Sequence, residues 1–397
     1  MSRPSWQALL ALVAVVAAVA LPLADGRSTI FLVDDGLAGF LVVWTVGLAA
    51  IFAVWPAGRE ASIEALFIGA HAGAAYIYLF LPRFAAAAPA WTFGQRPADG
   101  SGPVGFGTFL ADTAGFWGLF LAVWLLAWLL VTRLSLLRAG GRLGSLLLRI
   151  LVPALFGIWL LFLWEVVTRA LGVPPVLLPP PSAIGARIAA SLPTLWADFR
   201  QTFLKAVIAG FAIGSGAGFL FALLVDRIPF LKRGLLPIGN LVSALPIIGI
   251  APIMVMWFGF DWPSKAAVVA IMTFFPMLVN TLAGLDAADR IQRDLMRTYA
   301  ASHGQTLFKL RLPAALPFIF NGLKINTTLA LIGAIVAEFF GTPIVGMGFR
   351  ISTEVGRMSI DMVWAEIAVA ALAGSVFYGV MALIERACTF WHPSFRT

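Results

Sequence analysis

The chain is poor in the residues that most enzyme chemistry needs. It has one cysteine, Cys388, and three histidines, His71, His303 and His392, far apart in the sequence. A lone cysteine excludes an intrachain disulfide, and this set offers no metal-ligand spacing. Only 12% of the 397 residues are Asp, Glu, Lys or Arg. No Gly-x-x-x-x-Gly-Lys-Ser/Thr phosphate loop occurs, so the chain carries no recognisable nucleotide-binding engine. What fills the sequence is apolar: 61% hydrophobic residues, 32 Phe and 14 Trp, with a mean hydropathy of +0.95. That composition excludes a soluble globule and defines an integral membrane protein in contact with lipid. The formal charge of +8 does not point to nucleic acid. The basic residues sit in short loops between apolar runs, where they set topology.

A helix needs roughly 20 apolar residues to cross a bilayer. Runs of that kind fall at about 7–24, 37–55, 62–82, 112–132, 148–169, 202–225, 234–258, 265–285, 316–338 and 362–385. The expected fold is an all-α integral membrane protein of about ten transmembrane helices. Arg3 and the apolar run after it have the outline of a signal peptide, but the run is long and ends in no small-x-small site, so a retained helix is expected. Placing the charged stretch near residue 300 in the cytoplasm also puts Arg227, Lys232, Arg233, Arg133, Arg138, Arg142 and Arg149 inside. Both termini then fall inside as well. The loop with Arg350 and Arg357 weakens this bias without reversing it. A basic, glycine-rich stretch at 138–147 reads as a linker. It separates residues 1–140, about four helices without an assignable motif, from a six-span unit at 141–397.

The most telling stretch runs from Asp294 to Pro313. Ile291, Leu295 and Tyr299 recur every four positions, which predicts an amphipathic helix. Ala300, Ala301, Ser302 and Gly304 then allow a tight turn and a close approach to another surface. Leu307, Phe308 and Leu310 begin a second helix, and Pro313 and Pro317 bracket the start of the next span. This layout resembles the cytoplasmic coupling loop of binding-protein-dependent ABC importer permeases. That family's pattern is Glu-Ala-Ala, three residues, Gly, nine residues, Ile, one residue, Leu-Pro. Asp294 stands at the Glu position, Ala300 at the Gly position, Leu310 for Ile, and Leu312-Pro313 matches outright. Ala for Gly removes access to a positive φ, so the turn is expected to use ordinary backbone angles or to move toward Gly304.

Further patches carry the same resemblance. They are the triple proline before Ser182, the segment Leu245-Pro246 to Pro252, Phe-Pro-x-x-x-Asn280-x-x-x-Gly284, Gly346-x-Gly348 with Ile351, and a closing Glu385-Arg386…Trp391. Gly210, Gly214 and Gly218, four apart, predict close helix packing. Pro246 and Pro252 read either as a pathway wall or as a structural kink. Asn280 reads as helix glue or as a substrate contact. Asn326, near the opening of the ninth span, is a further candidate for the substrate pathway. Glu338, an acid at the end of a long uncharged run, reads as a salt bridge or cap, or as a substrate ligand. Glu165 and Arg169 are spaced for an i,i+4 pair.

The resemblance implies a permease subunit of an importer of the nitrate, sulfonate and taurine type, a group that includes importers of pyrimidine vitamin precursors. It implies two ATPase subunits that hold ATP and Mg²⁺, an extracytoplasmic binding protein, a probable second permease copy, and no cofactor in this chain. Asp294, Arg297, Ala300, Ala301, Ser302, Gly304, Leu310 and Pro313 would form the coupling loop, and the location would be a bacterial inner membrane. An ATP-independent transporter or channel would predict inverted repeats and paired intramembrane charges, and neither is visible. A membrane-embedded enzyme would need a cluster of ionisable groups at membrane depth, which the scattered histidines do not supply.

Overall fold

Inside a bilayer every backbone N–H and C=O must be satisfied by the chain itself, so apolar runs become helices. The computed structural model describes residues 5–22, 36–54, 59–87, 105–137, 140–228, 230–231, 234, 246–341 and 344–391. In chain order the helices are α1 (Trp6–Ala20), α2 (Gly36–Val54), α3 (Arg59–Ala87), α4 (Phe106–Asp112), α5 (Ala114–Ser135), α6 (Arg142–Ala170) and α7 (Pro181–Ala190). They continue as α8 (Leu192–Arg227), α9 (Ile247–Phe258), α10 (Trp262–Asp286), α11 (Arg290–Thr298), α12 (His303–Glu338), α13 (Met347–Gly356) and α14 (Ile360–Cys388). Among the described residues there is no strand. Seven helices (α3, α5, α6, α8, α10, α12 and α14) are long and apolar enough to cross a membrane, and α1, α2 and α9 are shorter apolar helices. Each of the ten expected spans overlaps one of these. Most of the first half of the expected 234–258 span lies outside the described residues.

The chain forms two compact units, Met1–Ala183 and Ile184–Thr397. In the first, α1 packs on α5 and α2 on α3. The contact is close because small residues face it: a Cβ on Gly118 would lie 3.0 Å from the Ala14 carbonyl. Phe84 stacks on Phe116 at 4.0 Å. Leu155, Trp159, Val166 and Ala170 place α6 in this same core, so the unit extends past the basic linker. The expected i,i+4 pair forms, with Glu165 and Arg169 2.6 Å apart. Glu165 also accepts from the Ser182 N–H (2.9 Å) and hydroxyl (2.7 Å), tying the triple-proline exit back to α6.

The core of the second unit is α8, α10 and α12. The glycine stripe of α8 lies on α10: a Cβ on Gly210 would sit 2.6 Å from the Ala266 carbonyl, and one on Gly214 or Gly218 would overlap the Ala270 or Phe274 carbonyl. Close packing is therefore the role of the stripe. Gly214→Ala is expected to force these helices apart at a cost of about 1–3 kcal/mol, read as a lower unfolding midpoint of the detergent-solubilised protein.

Candidate functional site

At one end of the second unit, α10 is followed by the short helix α11. The Asp289 carboxylate accepts from the Ile291 N–H (3.0 Å) and so caps α11. Asp294 does not cap. It pairs with Arg297 at 3.4 Å, well exposed. The helix closes on two hydrogen bonds, Ala300 N–H to the Arg297 carbonyl and Ala301 N–H to the Met296 carbonyl, both 2.9 Å. This is the double-bonded helix stop that places its next residue in the left-handed region, and Ala300 has φ +50°. The expectation of ordinary angles, or of a turn moved to Gly304, is corrected. The two closing bonds hold the turn at Ala300, and Gly304 lies in the first turn of α12. An L-residue with a side chain meets a cost of about 1–2 kcal/mol there. Ala300→Gly is expected to relieve about 1 kcal/mol, seen as slower amide exchange in the last turn of α11.

Ser302 begins α12 with a reciprocal cap: its hydroxyl accepts from the Gln305 N–H (3.3 Å), and the Gln305 side chain accepts from the Ser302 N–H (2.8 Å). From His303 the helix runs unbroken to Glu338. Pro313 and Pro317 thus lie inside one helix and do not bracket its start. A wide turn over Leu307–Arg311, which contains Leu310, ends two residues before Pro313, and the Leu312 N–H closes it on the Leu307 carbonyl. Thirty-six residues make a rod of about 54 Å, against roughly 30 Å of hydrocarbon. One end of α12 therefore extends well beyond the bilayer core.

The apolar stripe of α11 has no cover. No residue of the helix is buried, and Ile291 (77%), Leu295 (53%) and Tyr299 (77%) are exposed, as is Phe308 (67%). Arg311, one of the basic residues that flank the turn, forms an anchor whose partners the sequence did not disclose. Arg311 donates both guanidinium NH₂ groups to Asp226 of α8 at 2.7 Å and its Nε–H to the Leu285 carbonyl of α10 at 3.0 Å. The only sequence signals were an acid at the inner end of a span and an Arg between Leu310 and Leu312. Farther along α12, Lys324 pairs with Glu385 of α14 at 2.7 Å.

The far end of α12 carries a buried polar cluster. Glu338, 2% exposed, accepts from the Thr202 hydroxyl and the Gly348 N–H, both at 2.7 Å. Thr202 in turn accepts from the Met347 N–H (2.8 Å), and Asp198 accepts from the Gly346 N–H (2.6 Å) and Arg350 Nε (2.9 Å). Three side chains thus satisfy successive N–H groups at the start of α13. Gly346 has φ +145°, and a Cβ there would lie 2.7 Å from a Glu338 oxygen, which explains the Gly-x-Gly. Nearby, buried Lys265 donates to the Phe260 (2.6 Å) and Gly341 carbonyls. The Asp261 carboxyl is held below the usual carboxylate range, first by the Trp262 N–H (2.7 Å). Burial opposes this, while the Gln201 amide and the Lys205 and Lys265 charges add to it.

The five pathway candidates do not converge. Pro246 starts α9 and Pro252 lies within it. Asn326 is fully buried and donates to Ser215 (2.9 Å) and the Thr273 carbonyl (2.7 Å), joining α8, α10 and α12. Asn280 donates to the Pro276 carbonyl (2.8 Å) and accepts from Asn321 (3.1 Å). Glu338 lies seventeen residues past Asn321, about 25 Å along the rod. The contacts of Asn280, Asn326 and Glu338 are those of helix ties and a cap.

The second unit is thus a glycine-packed core of membrane-length helices with an uncovered amphipathic helix beside its longest member. Residues 214–389 match the family of binding-protein-dependent transport system inner membrane components. The chain is 32% identical over 241 residues to the formylaminopyrimidine transport permease protein of Halalkalibacterium halodurans, 61% of this chain and 96% of that one. It is 30% identical over 237 residues to the riboflavin transport system permease protein of Chloroflexus aurantiacus (59% and 88%). It is 28% identical over 240 residues to the taurine transport system permease protein of Escherichia coli (58% and 85%). The chain belongs to the binding-protein-dependent ABC importer permeases of the nitrate, sulfonate and taurine type. It is a multi-pass inner-membrane transport subunit, not an enzyme.

Proposed function

We propose that two copies of this chain enclose the path of an ATP-driven importer for a small polar or anionic solute. Nitrate-, sulfonate- or taurine-like solutes and pyrimidine vitamin precursors are the candidate classes. The names of the relatives, which span a formylaminopyrimidine, riboflavin and taurine, support a small solute without choosing among these. An external binding protein delivers the solute, and two ATPase subunits hold ATP and Mg²⁺ on the cytoplasmic side, where both termini lie. This chain itself binds no cofactor. Residues 141–397 act as the permease domain and 1–140 as a membrane extension.

The observation that carries this reading is the uncovered stripe of α11 beside the Ala300 turn, set at the end of a continuous rod. In this reading Ala300, Ala301, Ser302 and Gly304 enter a groove on the ATPase, and the Asp294–Arg297 pair lies at its rim. Leu310 and Pro313 begin the lever that carries the displacement along α12. Movement requires that the docked ATPase bind inward- and outward-facing permease with different affinity. The test is retention of the co-expressed ATPase on tagged permease. Ala301→Glu and Gly304→Glu are each expected to abolish it, and full retention in both would move the docking surface elsewhere.

A further inference from the structure

An amphipathic cleft runs between α5 and α6 in the first unit. Its apolar part, about 410 Å³, is walled by Trp124, Trp128 and Val131 on α5 and by Phe156 and Leu160 on α6. Ser135 lines both this part and a second cavity of about 510 Å³, where Ser145, Arg149 and Pro153 form the opposite wall. The polar end lies where α5 turns into α6. From Trp124 to Ser135, and from Leu160 back to Arg149, is eleven residues, about 16 Å of helix. That is close to half of the roughly 30 Å hydrocarbon thickness, the depth of one leaflet.

Chemistry changes along the cleft as it does along a lipid. The deep end is aromatic and aliphatic. The shallow end keeps Leu134, Leu148 and Val152 but adds Ser135, Ser145 and Arg149, and Arg149 is exposed and makes no ion pair among the described residues. Pro153 has no N–H, so it also leaves the Arg149 carbonyl without its helical donor. A helix, at least 10 Å across with its side chains, is too wide for these volumes, whereas an acyl chain is not. We propose that the cleft is a binding site for an anionic phospholipid, with one acyl chain along Val131 and Phe156 and the phosphate at Arg149. Basic pockets between membrane helices are suited to such head groups. The inference concerns residues 124–160 and does not depend on which solute is carried.

The probe is the delipidated full-length protein, titrated with equal phosphatidylglycerol and phosphatidylcholine and read by native mass spectrometry. Phosphatidylglycerol adducts are expected to exceed phosphatidylcholine adducts about fivefold, the worth of one basic residue near an anionic head group. Arg149→Gln, at an exposed position, should bring the two to parity. Thr132→Trp, which fills the cleft from an exposed position, should remove both. Parity in the wild type, or a preference that survives Arg149→Gln, would overturn the proposal. So would adducts unchanged by Thr132→Trp in a monodisperse protein. Arg149→Gln decides the matter alone should Thr132→Trp not fold.

Discussion

Arg311→Ala is expected to cost about 3–5 kcal/mol and to detach the start of α12 from the ends of α8 and α10. The guanidinium is largely buried, and its forked geometry matches the Asp226 carboxylate with two bonds of 2.7 Å. Removing one partner of such a pair leaves a buried charge without compensation, which costs more than the pair itself contributes. Arg311→Lys keeps the charge but loses the fork and the bond to the Leu285 carbonyl, so it should fall between wild type and alanine. Replacing both partners by apolar residues, Asp226→Leu with Arg311→Met, should recover most of the stability. It should not recover transport, because the fixed register between the coupling turn and the two neighbouring helices is lost. Wild type, Asp226→Leu, Arg311→Met and the double variant form a double-mutant cycle, read by unfolding midpoints in detergent. A shift of under 0.5 kcal/mol for Arg311→Ala, or additivity of Asp226→Leu and Arg311→Met, would remove the pair as an anchor of α12.

How far the sequence disclosed this arrangement depends on the range of the interaction involved. Helices were legible because the hydrophobic run and the spacing of Gly210, Gly214 and Gly218 are properties of consecutive residues. The helix and turn at 291–313 were legible for the same reason: the stripe, the small residues and the Leu-Pro end lie within 23 positions. The conformation of Ala300 was not, because local propensity argues against a left-handed alanine. Only the two hydrogen bonds that close α11 override it. The continuity of α12 was obscured likewise, since Pro313 and Pro317 read as breaks until the wide turn before them is seen. Pairings between distant residues were out of reach altogether. Asp226 and Arg311 are 85 positions apart, Asp198 and Gly346 are 148, and nothing local marks either. Where the sequence left two readings open, for Asn280 and Glu338, the partners again include residues distant in sequence: Asn321 for the first, Thr202 for the second.

Glu338→Ala is expected to cost about 3 kcal/mol, with little change in the solute concentration that half-saturates transport. Its carboxylate is the acceptor for the Gly348 N–H and the Thr202 hydroxyl, and both donors are buried. Left unmade, each buried donor costs about 1–3 kcal/mol. Glu338→Gln keeps one acceptor oxygen and should lose roughly half as much. Gly346→Ala tests the same contact from the other side, since its new Cβ would press on the Glu338 carboxylate in a backbone conformation that disfavours any side chain. In the Glu338→Ala background that clash disappears and only the backbone strain remains. The two substitutions together should therefore cost less than the sum of each alone. Unfolding midpoints read the coupling, and uptake at varied solute concentration reads the alternative. Were Glu338 a substrate ligand, alanine would raise the half-saturating concentration while leaving the midpoint in place, and Gly346→Ala would add to it independently. The buried position of Glu338 and its two donors favour the first pattern. In that pattern the acid holds α13 to the end of α12.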